Sequence, residues 1–222
     1  MILQHQFDEE KHLYKVEGQF VLSTSDIISL NGLANYGSCP AAILAYASWR
    51  GTQLHRAIQF FEEDSLVPDM PDEVVPYFGG YCKFRTKYDF EPIGDLEKQI
   101  VYLHEGTEQA VGCTIDMRGL INGKPYLLDV KTSAKQYGKA LKQKVLAWRM
   151  QTASYLCANE SDEDWWALTE TGEACHRGII QVNKEGGFEF HDFGKLDDAL
   201  LWDSCVRVAM AKMANGFQLE RF

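Results

Sequence analysis

Ala, Ile, Leu, Trp and Phe recur at helical spacing over residues 40–63, predicting a long amphipathic helix entered after Gly37-Ser38-Cys39-Pro40. Ser23 or Ser25 can cap a shorter helix beginning near Asp26. A loop rich in proline and acid, 67–76, then separates this helical entry from extended, apolar-rich sequence with strands expected near 99–104, 109–121 and 125–131. Asn122-Gly123, the commonest pair for a type I′ turn, joins the last two as a hairpin. A helix over 138–158 follows, then a loop holding Trp165 and Trp166, a strand at 177–182, a turn at 184–187, a partner strand at 188–193, and a closing helix over 196–215. Lys83, Arg85 and Lys87 alternate as on an extended edge. The order is α/β, with no repeat, low-complexity tract or linker.

With 222 residues and 45% hydrophobic content, the chain can bury a substantial core and fits one domain, 1–222, with a helical entry at about 23–65 and a core at about 80–215. No apolar run is long enough to span a bilayer, and the first ten residues lack the pattern of a signal peptide, so a cytoplasmic protein without membrane contact is expected. Cys39, Cys82, Cys113, Cys157, Cys175 and Cys205 are scattered, with no C-x-x-C pair to chelate zinc or a cluster, and fit free thiols in a reducing compartment.

Two acids concentrate the chemistry. Asp116 ends Val111-Gly112-Cys113-Thr114-Ile115-Asp116, and Asp129 opens Asp129-Val130-Lys131 after the apolar Tyr126-Leu127-Leu128 run. The hairpin sets the two carboxylates on adjacent strands, where hard oxygens can converge on a divalent cation. Period-2 alternation puts Lys131 on the same face as Asp129, so an ammonium lies beside the pair, suited to orienting water and stabilising developing charge. The Val130 carbonyl between them is a further candidate oxygen ligand. Taken alone, D-x-K also describes a solvated surface hairpin.

Four separated pieces together carry a resemblance. Gly51 to His55 resembles a G-x-x-x-H element, Gly112 to Asp116 a G-x-x-x-D strand, Asp129-Val130-Lys131 a D-x-K element, and Gln151 to Tyr155 a Q-x-x-x-Y element. In this order they resemble the PD-(D/E)XK nuclease superfamily, in its RecB-like branch, which includes mitochondrial genome maintenance exonucleases and CRISPR-associated iron-sulfur nucleases. Ile115 stands where the superfamily name has proline, and the clustered cysteines of the iron-sulfur relatives are absent.

The resemblance implies a restriction-endonuclease-like α/β core, a central mixed β-sheet flanked by helices in the order αβββαβ, with an N-terminal helical extension. It implies a Mg²⁺- or Mn²⁺-dependent deoxyribonuclease without an iron-sulfur cluster, an exonuclease on single strands or frayed ends in recombination, repair or replication. Metal ligands would be His55, Asp116, Asp129 and the Val130 carbonyl. Lys131 would act with Asp116 and Asp129 in catalysis, while Gln151 and Tyr155 would contact the strand and support the site. His55 lies within the long helix, where a half-buried structural histidine is the alternative; Gly51 is expected to admit a close backbone approach. Glu97, before the 99–104 strand, is a weaker candidate behind the ligands.

A net charge of −10 sits awkwardly with a polyanionic partner until its distribution is considered. Residues 131–149 hold Lys131, Lys135, Lys139, Lys142, Lys144 and Arg149 and no acid, and Lys135, Lys139 and Lys142 form an i, i+4, i+7 stripe if helical. The stripe fits phosphate-backbone contact, and the resemblance implies DNA, single-stranded or as duplex ends, as the partner, with a recombination or replication protein a further one. Trp165, Trp166, Tyr36, Tyr46 and Tyr137 admit base stacking or simple core packing. Other readings are a structure-specific endonuclease, a nuclease-fold protein that binds without cutting, and an unrelated metal-binding protein.

Overall fold

The computed structural model describes residues 1–9, 11–34, 39–64, 69–133, 138–160, 175–194 and 198–217. Strands β1 (Gln6–Asp8), β2 (Leu13–Val16) and β3 (Gln19–Ser23) lead into α1 (Thr24–Leu30), the long α2 (Ala41–Asp64) and α3 (Val75–Tyr88). Next come β4 (Phe90–Pro92), β5 (Lys98–His104), β6 (Gln109–Ile115), β7 (Met117–Ile121) and β8 (Lys124–Thr132). Helix α4 (Gly138–Glu160), β9 (His176–Val182), β10 (Phe188–Gly194) and α5 (Ala199–Ala214) complete the order.

The strands form two five-stranded sheets, β1-β2-β3-β6-β5 and β10-β9-β8-β7-β4. Both are mixed: β3 runs parallel to β6 and β8 parallel to β9, while the other pairings are antiparallel. The expected mixed sheet flanked by helices is present, divided at one residue. The sequence predicts a continuous strand over 109–121, but the chain leaves the first sheet after Ile115 and enters the second at Met117, so Asp116 occupies the crossing. The turn into β8 is left-handed at both positions, with φ of 51° at Asn122 and 76° at Gly123, as a type I′ turn requires.

Burial on both sides of β8 explains its apolar run. Leu127 packs into a core with Ile27 of α1, Ile100 and Val111 of β5 and β6, Met150 of α4 and Trp202 of α5. Its neighbours Leu128 and Val130 point the other way, into a core with Leu54 and Ile58 of α2 and Tyr81 and Phe84 of α3. Strand alternation therefore aims Asp129, like Leu127, at the α4 side.

Ser23 supplies the cap of α1. Its hydroxyl accepts from the Asp26 amide at 3.1 Å, and the Asp26 carboxylate accepts from the Ser23 amide at 2.9 Å, a reciprocal capping box. The N-terminal strands were not foreseen. Nor was α3: the extended edge read into Lys83, Arg85 and Lys87 is helical, because Tyr77, Phe78, Tyr81 and Phe84 bury one face at helical spacing. Arg85 pairs with Glu62 of α2 at 2.8 Å, and the Lys83 ammonium donates to the Gly186 carbonyl at 2.6 Å. Neither side chain forms a sheet edge. The closing helix starts at Ala199, three residues later than expected. Among the described residues no helix is long and apolar enough to cross a membrane.

Two glycines from the motifs behave differently. A Cβ at Gly112 would fall 2.4 Å from Cγ of Tyr14, whose ring lies across β6 and whose hydroxyl meets Thr114 Oγ1 at 2.6 Å. Gly112→Ala is expected to cost about 1–3 kcal/mol by overpacking, read as a lowered urea midpoint. Gly51, by contrast, faces open space, with nothing within 4 Å of a built Cβ, so no close approach explains it. Gly51→Ala is expected to stabilise by about 0.5–1 kcal/mol through helix propensity, seen as a raised midpoint in the same titration.

Candidate functional site

Four elements bring acidic and basic groups together where the two sheets meet. Asp116 is held there by the sheet crossing, and its Oδ2 accepts from the Val130 amide at 2.9 Å. Glu97 arrives through the pairing of β5 with β6, which sets Lys98 opposite Ile115, and its amide donates to the Asp116 carbonyl at 3.0 Å. That residue has φ of 50°, a left-handed conformation uncommon outside glycine and asparagine. Helix α2 supplies His55, whose Nδ1 lies 2.7 Å from Glu97 Oε1 and 3.6 Å from Asp116 Oδ2. His55, Glu97 and Asp116 each offer a ligand atom within 4.8 Å of the others.

Asp129 sits beside this group on β8 and is fully buried. Its Oδ1 accepts from Gln151 Nε2 at 2.7 Å, from the Tyr155 hydroxyl at 2.9 Å and from the Lys131 ammonium at 2.9 Å. Its Oδ2 lies 2.8 Å from the same ammonium yet takes no directed hydrogen bond. Gln151 also donates to the Tyr155 hydroxyl at 2.9 Å, as their i, i+4 spacing on α4 allows. Tyr155 is only 2% exposed, so it braces the carboxylate from beneath and is closed to a strand in solvent.

The charges are crowded, and the titrations follow. Burial pulls the His55 imidazolium down, but Asp116, Glu97 and Asp129 outweigh it and push the group up to about 10. Geometry agrees, since Nε2 faces the Val130 carbonyl at 3.1 Å and Nδ1 faces a carboxylate, and both partners only accept. Burial, then the neighbouring Asp116, raises Asp129 to about 7 against the opposing pull of Lys131. Asp116 is raised first by burial and also by Glu97. Three carboxylates sharing one imidazolium and one ammonium, with a buried oxygen lacking a directed donor, fit a hard divalent cation.

The sequence-derived set divides as follows. His55, Asp116, Asp129, Val130, Lys131, Gln151 and Tyr155 converge in one place, joined by Glu97, which meets the His55 ring at 2.7 Å and so is placed to support that ligand or to offer an oxygen of its own. Lys142 is exposed on α4. Lys135, Tyr137, Tyr36, Trp165, Trp166 and the Lys139 side chain lie outside the described residues. Two other members of the basic run are engaged elsewhere: Lys144 lies over the Trp148 ring at 5.3 Å, and Arg149 ion-pairs with Asp198. No local signal singles out Glu97; only the register of β5 on β6 brings it in.

Two mixed sheets covered by helices, with a carboxylate–lysine cluster at their junction, define a mixed α/β fold. Among solved structures, a "putative exonuclease" from Eubacterium rectale is similar over 88% of this chain and 79% of its own, at 13% identity and a TM-score of 0.51. SSO0001 matches 93% of this chain and 81% of its own at 13% identity and a TM-score of 0.43, and LHK-Exo in complex with dAMP matches 88% and 87% at 9% and 0.35. At those two scores neither adds to the fold assignment. Scans against protein-family models and curated proteins find no match.

Proposed function

We propose that the chain is a Mg²⁺- or Mn²⁺-dependent deoxyribonuclease of the RecB-like PD-(D/E)XK branch, an exonuclease acting on single-stranded or frayed DNA ends. The observation that carries this reading is the convergence of His55, Glu97 and Asp116 at one point, with Asp129 and its Lys131 ammonium beside them. The fold likeness to the Eubacterium rectale protein supports it.

Asp116, Asp129, Glu97, His55 and the Val130 carbonyl are the groups that would hold the ion. When bound, it supplies charge neutralisation at the scissile phosphate and a water acidic enough to attack near neutral pH. Lys131 then presents its ammonium to the attacking water and to the phosphate oxygens as charge accumulates there. Gln151 and Tyr155 fix Asp129 in one orientation, because both donate to the same oxygen.

His55 can ligate only after losing the proton that its neighbours hold to about 10. Its raised value means that this proton stabilises the metal-free fold fully below pH 6.5, a contribution lost as pH rises towards 10. Metal competes for the same nitrogen, so Mn²⁺ affinity is expected to climb by roughly tenfold per pH unit between about pH 7 and about pH 10, with about one proton released per ion. Below about pH 7 it climbs more steeply, because Asp129 also gives up a proton. Calorimetry in buffers of different ionisation enthalpy reads that proton directly.

The function is tested with end-labelled linear and circular DNA, single- and double-stranded, incubated with Mg²⁺, Mn²⁺ or chelator. Linear single strands degraded only with metal, with circles spared, is the expected outcome. Cut circles would make it an endonuclease, and DNA binding without cutting under either metal would make it a binding protein.

A further inference from the structure

The first half of α2 projects an aromatic pair that the site itself does not use. Tyr46 and Trp49 stack on each other with ring centroids 5.6 Å apart and planes 27° from parallel, and they remain 46% and 39% exposed. Beside them Ile43 is 57% exposed. Large apolar groups adjoining one another on a surface mark a contact site more often than scattered ones do.

Arg50 ties this pair to the end of the strand that carries the D-x-K element. Its guanidinium lies 5.6 Å from the Tyr46 ring centre and 4.9 Å from that of Tyr77, and Nη2 reaches the Thr132 carbonyl at 3.4 Å. Thr132 directly follows Lys131. Trp49 precedes His55 by six residues, about 9 Å of axial rise and about 120° around one rigid helix, so the Arg50 contact with Thr132 is what joins the rings to β8. The stacked rings are therefore held at a fixed distance from the carboxylate cluster.

Charge narrows the occupant. In a chain of net charge −10, residues 41–61 contain Arg50 and Arg56 and no acid. Arg56 faces Glu9 at 3.6 Å, whereas Arg50 meets no carboxylate among the described residues. A flat π surface flanked by a guanidinium, in a locally cationic segment beside a phosphodiesterase-type site, matches a nucleic-acid strand with unpaired bases. Every base offers a face to stack on, and residues 41–61 set no acidic side chain against the backbone. An apolar protein partner would use the rings but not the cation.

We propose that Tyr46 and Trp49 form a stacking platform for unpaired bases of the strand entering the site, with Arg50 fixing the platform to the end of β8. This rests on the nuclease reading and assigns its substrate class as single-stranded. Duplex DNA, whose bases are already stacked, would gain nothing from the rings.

The test is fluorescence anisotropy of labelled oligothymidylate, of an abasic strand of equal length and of a duplex, measured in chelator with the full chain. The native protein is expected to bind oligothymidylate about tenfold or more tightly than the abasic strand. Trp49→Ala and Tyr46→Ala should each remove most of that preference, while Trp49→Phe keeps it. Unchanged thermal melting of the variants separates this from misfolding. Equal affinity for the two strands, or no loss in either alanine variant, overturns the platform. So does a native dimer in sedimentation that Trp49→Ala dissociates, since the face would then be a self-association surface. Binding in chelator is blind to cleavage, so failure of turnover would count against the nuclease reading alone, and loss of base preference against the platform alone.

Discussion

Lys131→Ala is expected to slow metal-dependent DNA cleavage by about 10²- to 10⁴-fold, with the fold intact. Removing the ammonium acts twice. Directly, it takes away the donor that faces the attacking water and the developing charge. Indirectly, it releases Asp129, which burial and Asp116 already push up to about 7 and which Lys131 holds down. The carboxyl then keeps its proton to higher pH and loses ligand character near neutrality. Residual activity in the variant should therefore shift to more alkaline conditions, a signature that mere loss of substrate affinity would not produce. Because Lys131 is 29% exposed, its truncation opens no cavity. The variant should stay folded with a modest loss of stability at neutral and higher pH, where the buried Asp129 carboxylate lacks its ammonium. Single-turnover rates across pH, with melting curves alongside, read both parts.

Asp198→Ala is expected to cost about 3–5 kcal/mol of stability, a large share of the roughly 5–15 kcal/mol that holds an ordinary domain folded. Arg177 of β9 is only 1% exposed, and its guanidinium donates to Asp198 at 2.8 Å, to the Arg149 carbonyl at 3.1 Å and to Thr152 Oγ1 at 3.3 Å. Arg149 of α4 grips the other oxygen of the same carboxylate. Asp198 also precedes α5 and accepts the Trp202 amide through its carbonyl at 2.8 Å. One carboxylate thus joins α4, β9 and α5, and deleting it strands a buried cation. Burial raises the Asp198 carboxyl, but the hydrogen bonds from Arg149 and Arg177 override this and hold it below its ordinary value of 3.8. With a depressed folded value, the stabilisation is complete above pH 3.8 and is lost as pH falls through that lower value. Urea titrations at pH 7 and in acid should therefore show the native and variant chains converging only at low pH.

These two residues show which information was local. Asp129-x-Lys131 was readable because strand alternation fixes the relation of i to i+2, and Asn122-Gly123 because only a few residue pairs tolerate two left-handed positions. Gln151 and Tyr155 entered through the resemblance, and their i, i+4 spacing set both on one helix face. Asp116 was identified, but its situation was not: nothing in 109–121 signals a change of sheet, which depends on β4 and β5 pairing with different halves of that segment. The Arg177–Asp198 pair was hidden for the same reason, being assembled from distant segments, while Glu97, legible only as a weaker candidate, is brought to His55 by the register of β5 on β6. The α3 helix was misread through its alternating cations. Gly80 has a packing reason, because a Cβ there would sit 2.6 Å from the Gly187 carbonyl oxygen of the β9–β10 turn. The aromatic spacing of Tyr77, Phe78, Tyr81 and Phe84 was the better guide.

The most direct measurement is single-turnover hydrolysis of a labelled single strand by the native chain and by Asp129→Asn, each with Mn²⁺ and with chelator. The expected result is cleavage by the native chain with Mn²⁺ alone, with the variant folded, DNA-bound and inactive. Cleavage by Asp129→Asn at the native rate, or none by a folded, DNA-bound native chain in either Mg²⁺ or Mn²⁺, would contradict the assignment of this cluster as a nuclease centre.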